Sequence, residues 1–407
     1  MIGLGLAITG IVLSSLCLMY ITSIAQPPPA SPDLATKYRA YHDIGDGEYH
    51  QTKWWYEEKE NHALVQGKDE TVKSHVALIT GGNSGIGRGV AVELCKLGVG
   101  TVVITSRSLK RGQAAVQEMI QEGTCRTDQI HAMELDLIDF DSVRALAKNF
   151  RSKYDRLNYF VENAGAVILP GYSGPYLNKD GFEALYAGNY LGHFLLLQLL
   201  LELMASSNPA RISLTSSIAH WGVTEDIYSL LPASGSAAKN SQEGNGSIIA
   251  AFEQYSNTKF LQVAMAFELQ KRLSESDSKI TITPTAPGFI NTNIPNTDRD
   301  KKAGWMPPFA LDPKAGAETT LHALFSKSME GQEGYFIQPY WSPLHQSPPI
   351  GPLGMSVTGI WEWIFQRYNW GCHMWLPHPY VHDRAFQEEL WEESSEAVGV
   401  GKPLQIK

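Results

Sequence analysis

Tyr255 and Lys259 stand four residues apart in the stretch YSNTK. On a helix that spacing puts both side chains on one face. A phenol with an ordinary pKa of about 10 is a poor acid–base catalyst near neutrality, but a neighbouring ammonium favours the phenolate and makes proton transfer at an oxygen atom feasible. Tyr-x-x-x-Lys by itself occurs by chance in many helices, so its meaning depends on the rest of the chain.

A second group of residues could hold a phosphate. HVALITGGNSGIGRGVAVELCKLG reads as a buried strand, a glycine turn and a helix carrying Val90, Val92, Leu94 and Leu97. In that order the elements offer backbone N–H groups and the positive end of a helix dipole to an anion. The spacing Thr80-Gly81-x-x-x-Gly85-x-Gly87 places three residues between its first two glycines, where the common dinucleotide fingerprint has one. Alone, the turn leaves a purely structural role open.

Both groups need a scaffold. From His75 onward, short β-branched runs alternate with helical stretches, the pattern of a parallel sheet covered on both faces. Strands are predicted near 75–80, 101–106, 130–135, 157–162, 211–216, 279–285 and 334–338, with helices over 85–97, 109–122, 141–153, 180–205, 252–274 and 314–327. The expected fold is α/β, a Rossmann-like doubly wound parallel sheet in a single domain with an N-terminal transmembrane segment. The expected organisation is an anchor at 1–25, a juxtamembrane connector at 26–74, a catalytic domain at 75–340 and a Trp-rich C-terminal extension at 341–407. Trp221 to Ala250 reads as a long insertion. Ile360, Trp361, Ile364, Phe365 and Tyr368 form a helical stripe suited to the domain, a dimer partner or a membrane surface.

Composition excludes some classes. The 407 residues are 43% hydrophobic and carry a net charge of -9 with no Lys/Arg block, so a core is available and a nucleic-acid partner is not expected. Cys17, Cys95, Cys125 and Cys372 are too few for a disulfide framework and share no metal-ligand spacing, which favours a reducing compartment. His373, His378 and His382 lack a carboxylate at matching spacing, so no metal is expected. Met1 to Pro32 contains no charged side chain, and Ile2 to Ala25 is long enough to cross a bilayer core of about 30 Å. A cleaved signal would have a basic start and a shorter apolar run, so the expectation is a single-pass anchor. Lys37, Arg39 and Lys53 follow that run and place the catalytic domain on the cytoplasmic side, with the endoplasmic reticulum the expected membrane. Ser23-Ile24-Ala25 keeps cleavage open, and the sequon at Asn245 would matter only in a lumenal domain.

The short motifs fall in one order: TGGNSGIG at 80–87, ENAG at 162–165, NYLGHF at 189–194, RISLTSS ending at Ser217, YSNTK at 255–259 and PGFINT at 287–292. As a set they resemble the short-chain dehydrogenase/reductase superfamily over roughly residues 75–340. DGFEALYAGNYLGHFLLLQLLL and the long gap from Ser217 to Tyr255 look most like its retinol-dehydrogenase-like branch, which includes relatives acting on polyprenols and steroids.

The resemblance implies roles for individual positions. Tyr255 would be the general acid or base at the substrate oxygen, and Lys259 would lower its pKa and hydrogen-bond the nicotinamide ribose. Ser217 would polarise the carbonyl or alcohol, and Asn189 would hold the water that links Lys259 to bulk solvent. Gly81, Asn83, Ser84, Gly85, Ile86 and Gly87 would seat the cofactor phosphates, Asp136 would contact the adenine, and Asn163 would brace the central strand. Pro287, Gly288 and Thr292 would wrap the nicotinamide end. Glu162 departs from the family, which usually has a second asparagine there, and a carboxylate would be awkward near the cofactor.

Charge addresses the choice of cofactor. A 2′-phosphate calls for a base after the second strand, and Arg107 in ITSRS, with Ser106 beside it and Arg88 as a second base, favours NADP(H) over NAD(H). The implied activity is hydride transfer between NADP(H) and an alcohol or carbonyl of a lipophilic small molecule. The membrane is a further expected partner, and a second copy of the chain is a candidate one. The alternative is an inactive dehydrogenase fold that senses a cofactor or binds lipid, with Glu162 as its sequence support.

Overall fold

Runs of Val, Ile, Thr and Leu pair as strands in the computed structural model, which describes residues 51–52, 55–168, 176–223, 226–233, 248–288, 290, 312–331, 336–339, 372–375 and 378–400. The strands are β1 (Gln51–Thr52), β2 (Val76–Ile79), β3 (Thr101–Ser106), β4 (Ile130–Glu134), β5 (Tyr159–Glu162), β6 (Arg211–Thr215), β7 (Thr281–Thr285), β8 (Phe336–Pro339) and β9 (Cys372–Trp375). They form a nine-stranded sheet in the order β1-β9-β8-β7-β6-β5-β2-β3-β4. Strands β2 to β8 pair in parallel, and β9 and β1 close one edge antiparallel. Every residue of β2, β5, β6 and β7 is buried, as parallel strands covered on both faces must be.

The main helices are α1 (Gly85–Lys96), α2 (Leu109–Gln121), α3 (Phe140–Lys153), α4 (Gly192–Ala205), α5 (Ile248–Glu275), α6 (Pro313–Phe325) and α7 (Arg384–Ala397). Side chains alternate across the sheet and so divide the core in two. Ile79, Ile104 and Val161 meet α1, α2 and α6 on one face. Leu78, Val103, Phe160 and Leu214 meet α3, α4, α5 and α7 on the other. Side chains of Ser108, Asp139, Asp312 and Asp383 cap the starts of α2, α3, α6 and α7 by accepting backbone N–H bonds. Chain order reverses between β2 and β5, which makes the carboxyl ends of those strands the natural crevice for a ligand.

The sheet continues past residue 340. Strand β9 pairs with β8, and α7 packs on the core through Trp391, whose ring meets Phe194 edge-on at 5.0 Å, and through Ser394, 2.7 Å from the Tyr190 hydroxyl. The later part of the connector also joins the core: Leu64 and Val72 are buried in it, and Asn61 donates to the Phe325 carbonyl at 3.0 Å. Ala184–Ala205 is long and apolar enough to cross a membrane, yet it is mostly buried within the fold, where a helix apolar all round belongs.

The cysteine expectation is corrected. Cys95, at the end of α1, and Cys125, in the loop before β4, form a disulfide. Composition missed it because two buried cysteines need only local proximity, and these Cα atoms are 5.1 Å apart. The expected anchor at 1–25, the sequon at Asn245, Thr292 and the stripe at 360–368 lie outside the described residues.

Candidate active site

The glycine turn leaves the end of β2 and enters α1. Gly81 and Gly85 adopt φ of 66° and 57°, a region costly for residues with a Cβ. Gly87 is required by space, because a Cβ there would stand 2.5 Å from Asn163 Nδ2 and 2.7 Å from the Gly81 carbonyl oxygen. Asn163 in turn ties β5 to β2, its Nδ2 donating to the Thr80 carbonyl and its backbone N–H to Thr80 Oγ1, both at 2.9 Å. Asn83 is half-buried, Ser84 is the exposed residue preceding α1, and Ile86 packs inward beneath Gly316. The first N–H groups of α1 therefore face the switch-point crevice, where an anion would be stabilised.

Around this turn lie Arg107, exposed just after β3, and Asp136, half-buried after β4, whose Oδ1 accepts the Ile138 N–H at 3.2 Å. Arg88 does not join them. Its guanidinium is held by both Glu122 oxygens at 2.7 and 2.8 Å, so the second base expected for a 2′-phosphate is engaged on the surface. Pro287 and Gly288 follow β7, with Gly288 at φ 85°.

On the other side of the crevice, α5 presents Tyr255 half-buried and Lys259 buried, with Lys259 Nζ 5.5 Å from the centre of the Tyr255 ring. Lys259 Nζ donates to the Thr215 carbonyl and to Gln262 Oε1, each at 2.9 Å. Burial pushes the Lys259 ammonium down to about 7, against the pull of the Glu162 carboxylate. Ser216 Oγ ties β6 to α5 by donating to the Lys259 carbonyl at 2.9 Å. The next residue, Ser217, opens a short 3-10 turn, Ile218–Gly222, where its Oγ accepts the Ala219 N–H at 3.1 Å. His220 Nδ1 donates to the Ser217 carbonyl at 2.7 Å, and its Nε2 accepts the His378 N–H at 3.2 Å. The C-terminal segment thus holds the serine turn.

Asn189 sits on a π-turn, Ala187–Leu191, immediately before α4. Its side chain is clamped by the Ala166 backbone at 2.9 and 3.0 Å and donates to Thr258 Oγ1 at 3.1 Å. Asn189 Oδ1 and Lys259 Nζ lie 3.8 and 3.5 Å from where a Cβ on Gly165 would stand, so the glycine leaves their shared side of the crevice open. The Asn189 carbonyl accepts from Gln262 Nε2 at 2.9 Å and from His193 Nδ1 at 3.0 Å. A carbonyl only accepts, so His193 carries its proton on Nδ1, and its Nε2 accepts a hydrogen bond from the Thr80 hydroxyl at 3.0 Å. Burial lowers His193 to about 4 and keeps it neutral.

His193 and Gln262 were not singled out from sequence, and Thr80 was named only as the start of the glycine motif. The signal was present as spacing, with His193 four residues after Asn189 and Gln262 three after Lys259, each on its partner's helical face. Glu162 is wholly buried, with no hydrogen-bond partner for either carboxylate oxygen among the described residues. A surface depression lined by Val116, Ile130, Met133 and Tyr154 lies along β4 and touches none of these groups.

Residues 75–229 match the short chain dehydrogenase family. Retinol dehydrogenase 12 of Mus musculus is 32% identical over 267 residues, 65% of this chain and 78% of that protein. Retinol dehydrogenase 13 of Mus musculus is 28% identical over 334 residues, 81% of this chain and 85% of that protein. Among solved structures, an uncharacterised protein from Mycobacterium paratuberculosis superposes with a TM-score of 0.54 at 26% identity, covering 81% of this chain and 95% of the other.

Proposed function

Because the chain belongs to the short-chain dehydrogenase/reductase superfamily, in its retinol-dehydrogenase-like branch, we propose that it transfers hydride between NADP(H) and an alcohol or carbonyl of a lipophilic substrate of retinoid, steroid or polyprenol type. The observation that carries this reading is the buried, doubly hydrogen-bonded Lys259 ammonium lying 5.5 Å from the centre of the Tyr255 ring. The residues fit a nicotinamide dinucleotide: two glycines with positive φ, a helix start facing the crevice, and a Gly165 position that leaves the lysine side open. When bound, that cofactor supplies or accepts the hydride.

The chain's own groups then handle the proton. In the reductive direction the Tyr255 hydroxyl gives its proton to the developing alkoxide, and the Lys259 ammonium stabilises the phenolate left behind. Ser217 Oγ holds the substrate oxygen in line. Asn189, fixed on three sides, orients the path that returns a proton to Lys259. Arg107 favours the 2′-phosphate of NADP(H), a preference that rests on it without help from Arg88. Glu162, on which the inactive alternative leaned, lies in the interior beneath the site. Residues 1–25 form the membrane anchor in this reading, on the strength of their charge-free apolar run.

The test is turnover by the full chain in detergent, followed by NADPH consumption against long-chain aldehydes, retinaldehyde and sterones. Saturable consumption with at least one lipophilic carbonyl is expected. Bound NADPH with no turnover across that panel and its alcohol counterparts would overturn the reading.

A further inference from the structure

The carbonyl of Ser217 is held twice by one residue. The backbone N–H of His220 donates to it at 3.1 Å, and the His220 ring donates to the same oxygen through Nδ1 at 2.7 Å. The other ring nitrogen is engaged from far along the chain: Nε2 accepts the N–H of His378, 158 residues on, at 3.2 Å. A carbonyl only accepts and a backbone N–H only donates, so one tautomer alone satisfies both ends, with the proton on Nδ1. The ring is wholly buried, and burial lowers it to about 4, which keeps it neutral. His378 is itself well seated. Its Nδ1 accepts the Tyr380 N–H at 3.2 Å at the start of the short turn Pro379–His382, and its ring centre lies 5.3 Å from that of Trp221 and 5.8 Å from that of Phe260, the residue after Lys259 on α5. Gln387 of α7 donates to the Val381 carbonyl in that turn, and Phe386, Leu390 and Trp391 bury α7 in the core. The orientation of the His220 ring is thus fixed from both of its nitrogens.

We propose that His220 is a positioning residue for the reaction described above: by gripping the Ser217 carbonyl through Nδ1 it aims the Ser217 hydroxyl at the substrate oxygen. The claim rests on the proposed oxidoreductase function. Ser217 Oγ accepts the Ala219 N–H at 3.1 Å, so the hydroxyl keeps its own proton for a substrate oxygen, and the direction of that proton depends on the turn from Ile218 to Gly222. Five residues make a long 3-10 turn, because the hydrogen bonds of such turns are poorly directed. The ring bond is a second hold on its first carbonyl. Misplacing an orienting group by about 1 Å costs up to about a hundredfold in rate, so a loosened turn shows in turnover. His220 acts through Ser217 and takes no part in proton transfer, since its one ring proton is committed to a backbone carbonyl.

The experiment compares wild type, His220→Asn and His220→Gln as full-length protein in detergent, by kcat with a lipophilic carbonyl and by the unfolding midpoint. Asn places an amide N–H where Nδ1 stands and keeps the bond to Ser217. Gln extends an amide oxygen to the place of Nε2 and keeps the bond from His378. Each variant gives up one of the two ring bonds, so a merely structural role makes kcat follow the midpoint in both. The positioning role separates them: kcat should fall about tenfold or more in His220→Gln and stay within about threefold of wild type in His220→Asn. On a Ser217→Ala background the change to Gln should cost less than about threefold, because the hydroxyl that His220 aims is gone. Equal losses in the two variants, a loss under about threefold in His220→Gln, or the same loss with and without the Ser217 hydroxyl would overturn the proposal. If either variant does not fold, His220→Ala, which also lacks the Nδ1 bond, and its cycle with Ser217→Ala carry the test. Absence of turnover in wild type would overturn the positioning role together with the oxidoreductase reading. Turnover in wild type with any of the three contrary outcomes would overturn the positioning role alone.

Discussion

On the β2–β3–β4 side of the crevice the candidate site is built from backbone and from side chains at or near the surface, whereas on the β5–β6–β7 side its polar groups lie mostly inside. Gly81, Ser84 and Arg107 face outward or lie at the edge. Lys259, Asn189, His193, Gln262 and Glu162 are all buried. The difference follows from what each side is asked to do in the proposed reaction. A dinucleotide is recognised by shape and charge and must enter and leave, so its seat stays open to water. Protons are handled best where few water dipoles compete, because a low dielectric is what moves Lys259 to about 7 and holds His193 near 4.

The sharpest test of this contrast is Tyr255→Phe, which removes one hydroxyl on the closed side. Turnover should fall by about a hundredfold or more while NADPH affinity, measured by fluorescence titration, changes little. Activity above about a tenth of wild type would show that proton transfer does not depend on this side. Next in size is Trp391→Ala. Trp391 is buried, edge-on to Phe194, with the Arg272 guanidinium 5.0 Å from its ring, so its loss should cost about 3–5 kcal/mol in denaturant unfolding. A cost below about 1 kcal/mol would mean that α7 is an accessory and that the closed side is shut by α4 and α5 alone. The smallest effect belongs to the open side. Arg107→Asp should move the ratio of kcat/KM for NADPH over NADH about tenfold toward NADH, since it exchanges a charge-assisted bond for repulsion. An unmoved ratio would show that the open side reads the phosphate elsewhere.

Most of the scaffold was legible because its signals are local. The seven predicted strands match β2 to β8, and five of the six predicted helices match α1, α2, α3, α5 and α6 to within a few residues at each end, while the sixth, 180–205, takes in the helical turn Ala184–Tyr186 and the π-turn Ala187–Leu191 before α4; buried β-branched runs and apolar helical spacing declare themselves over short windows. Strand β9 was not legible. Cys372–Trp375 sits in a stretch broken by Pro, Gly and Trp, and becomes a strand only by pairing with β8. Helix α7 had the right spacing in Phe386, Leu390 and Trp391, but nothing in the sequence says which surface they cover. The same division runs through the site. Tyr255, Lys259 and the glycine turn stood out by type and spacing, and Ser217 only through the family resemblance. Thr80, His193 and Gln262 are ordinary polar residues until α4 and α5 close on the Asn189 carbonyl from two sides. Glu162 was visible as a departure from pattern, but not the direction in which it points, because that depends on which face of β5 each helix covers.

The cover that α7 gives to the core has a consequence during synthesis. A ribosome adds about 5–20 residues per second, and about 180 residues separate the end of Ala184–Ala205 from the start of α7 at Arg384. For roughly ten to forty seconds the nascent chain therefore carries a helix apolar enough to pass for a membrane span, without the Trp391 ring that later covers Phe194. During that interval the segment has the length and hydropathy of a bilayer span, and only afterwards is it closed in as the centre of the folded core.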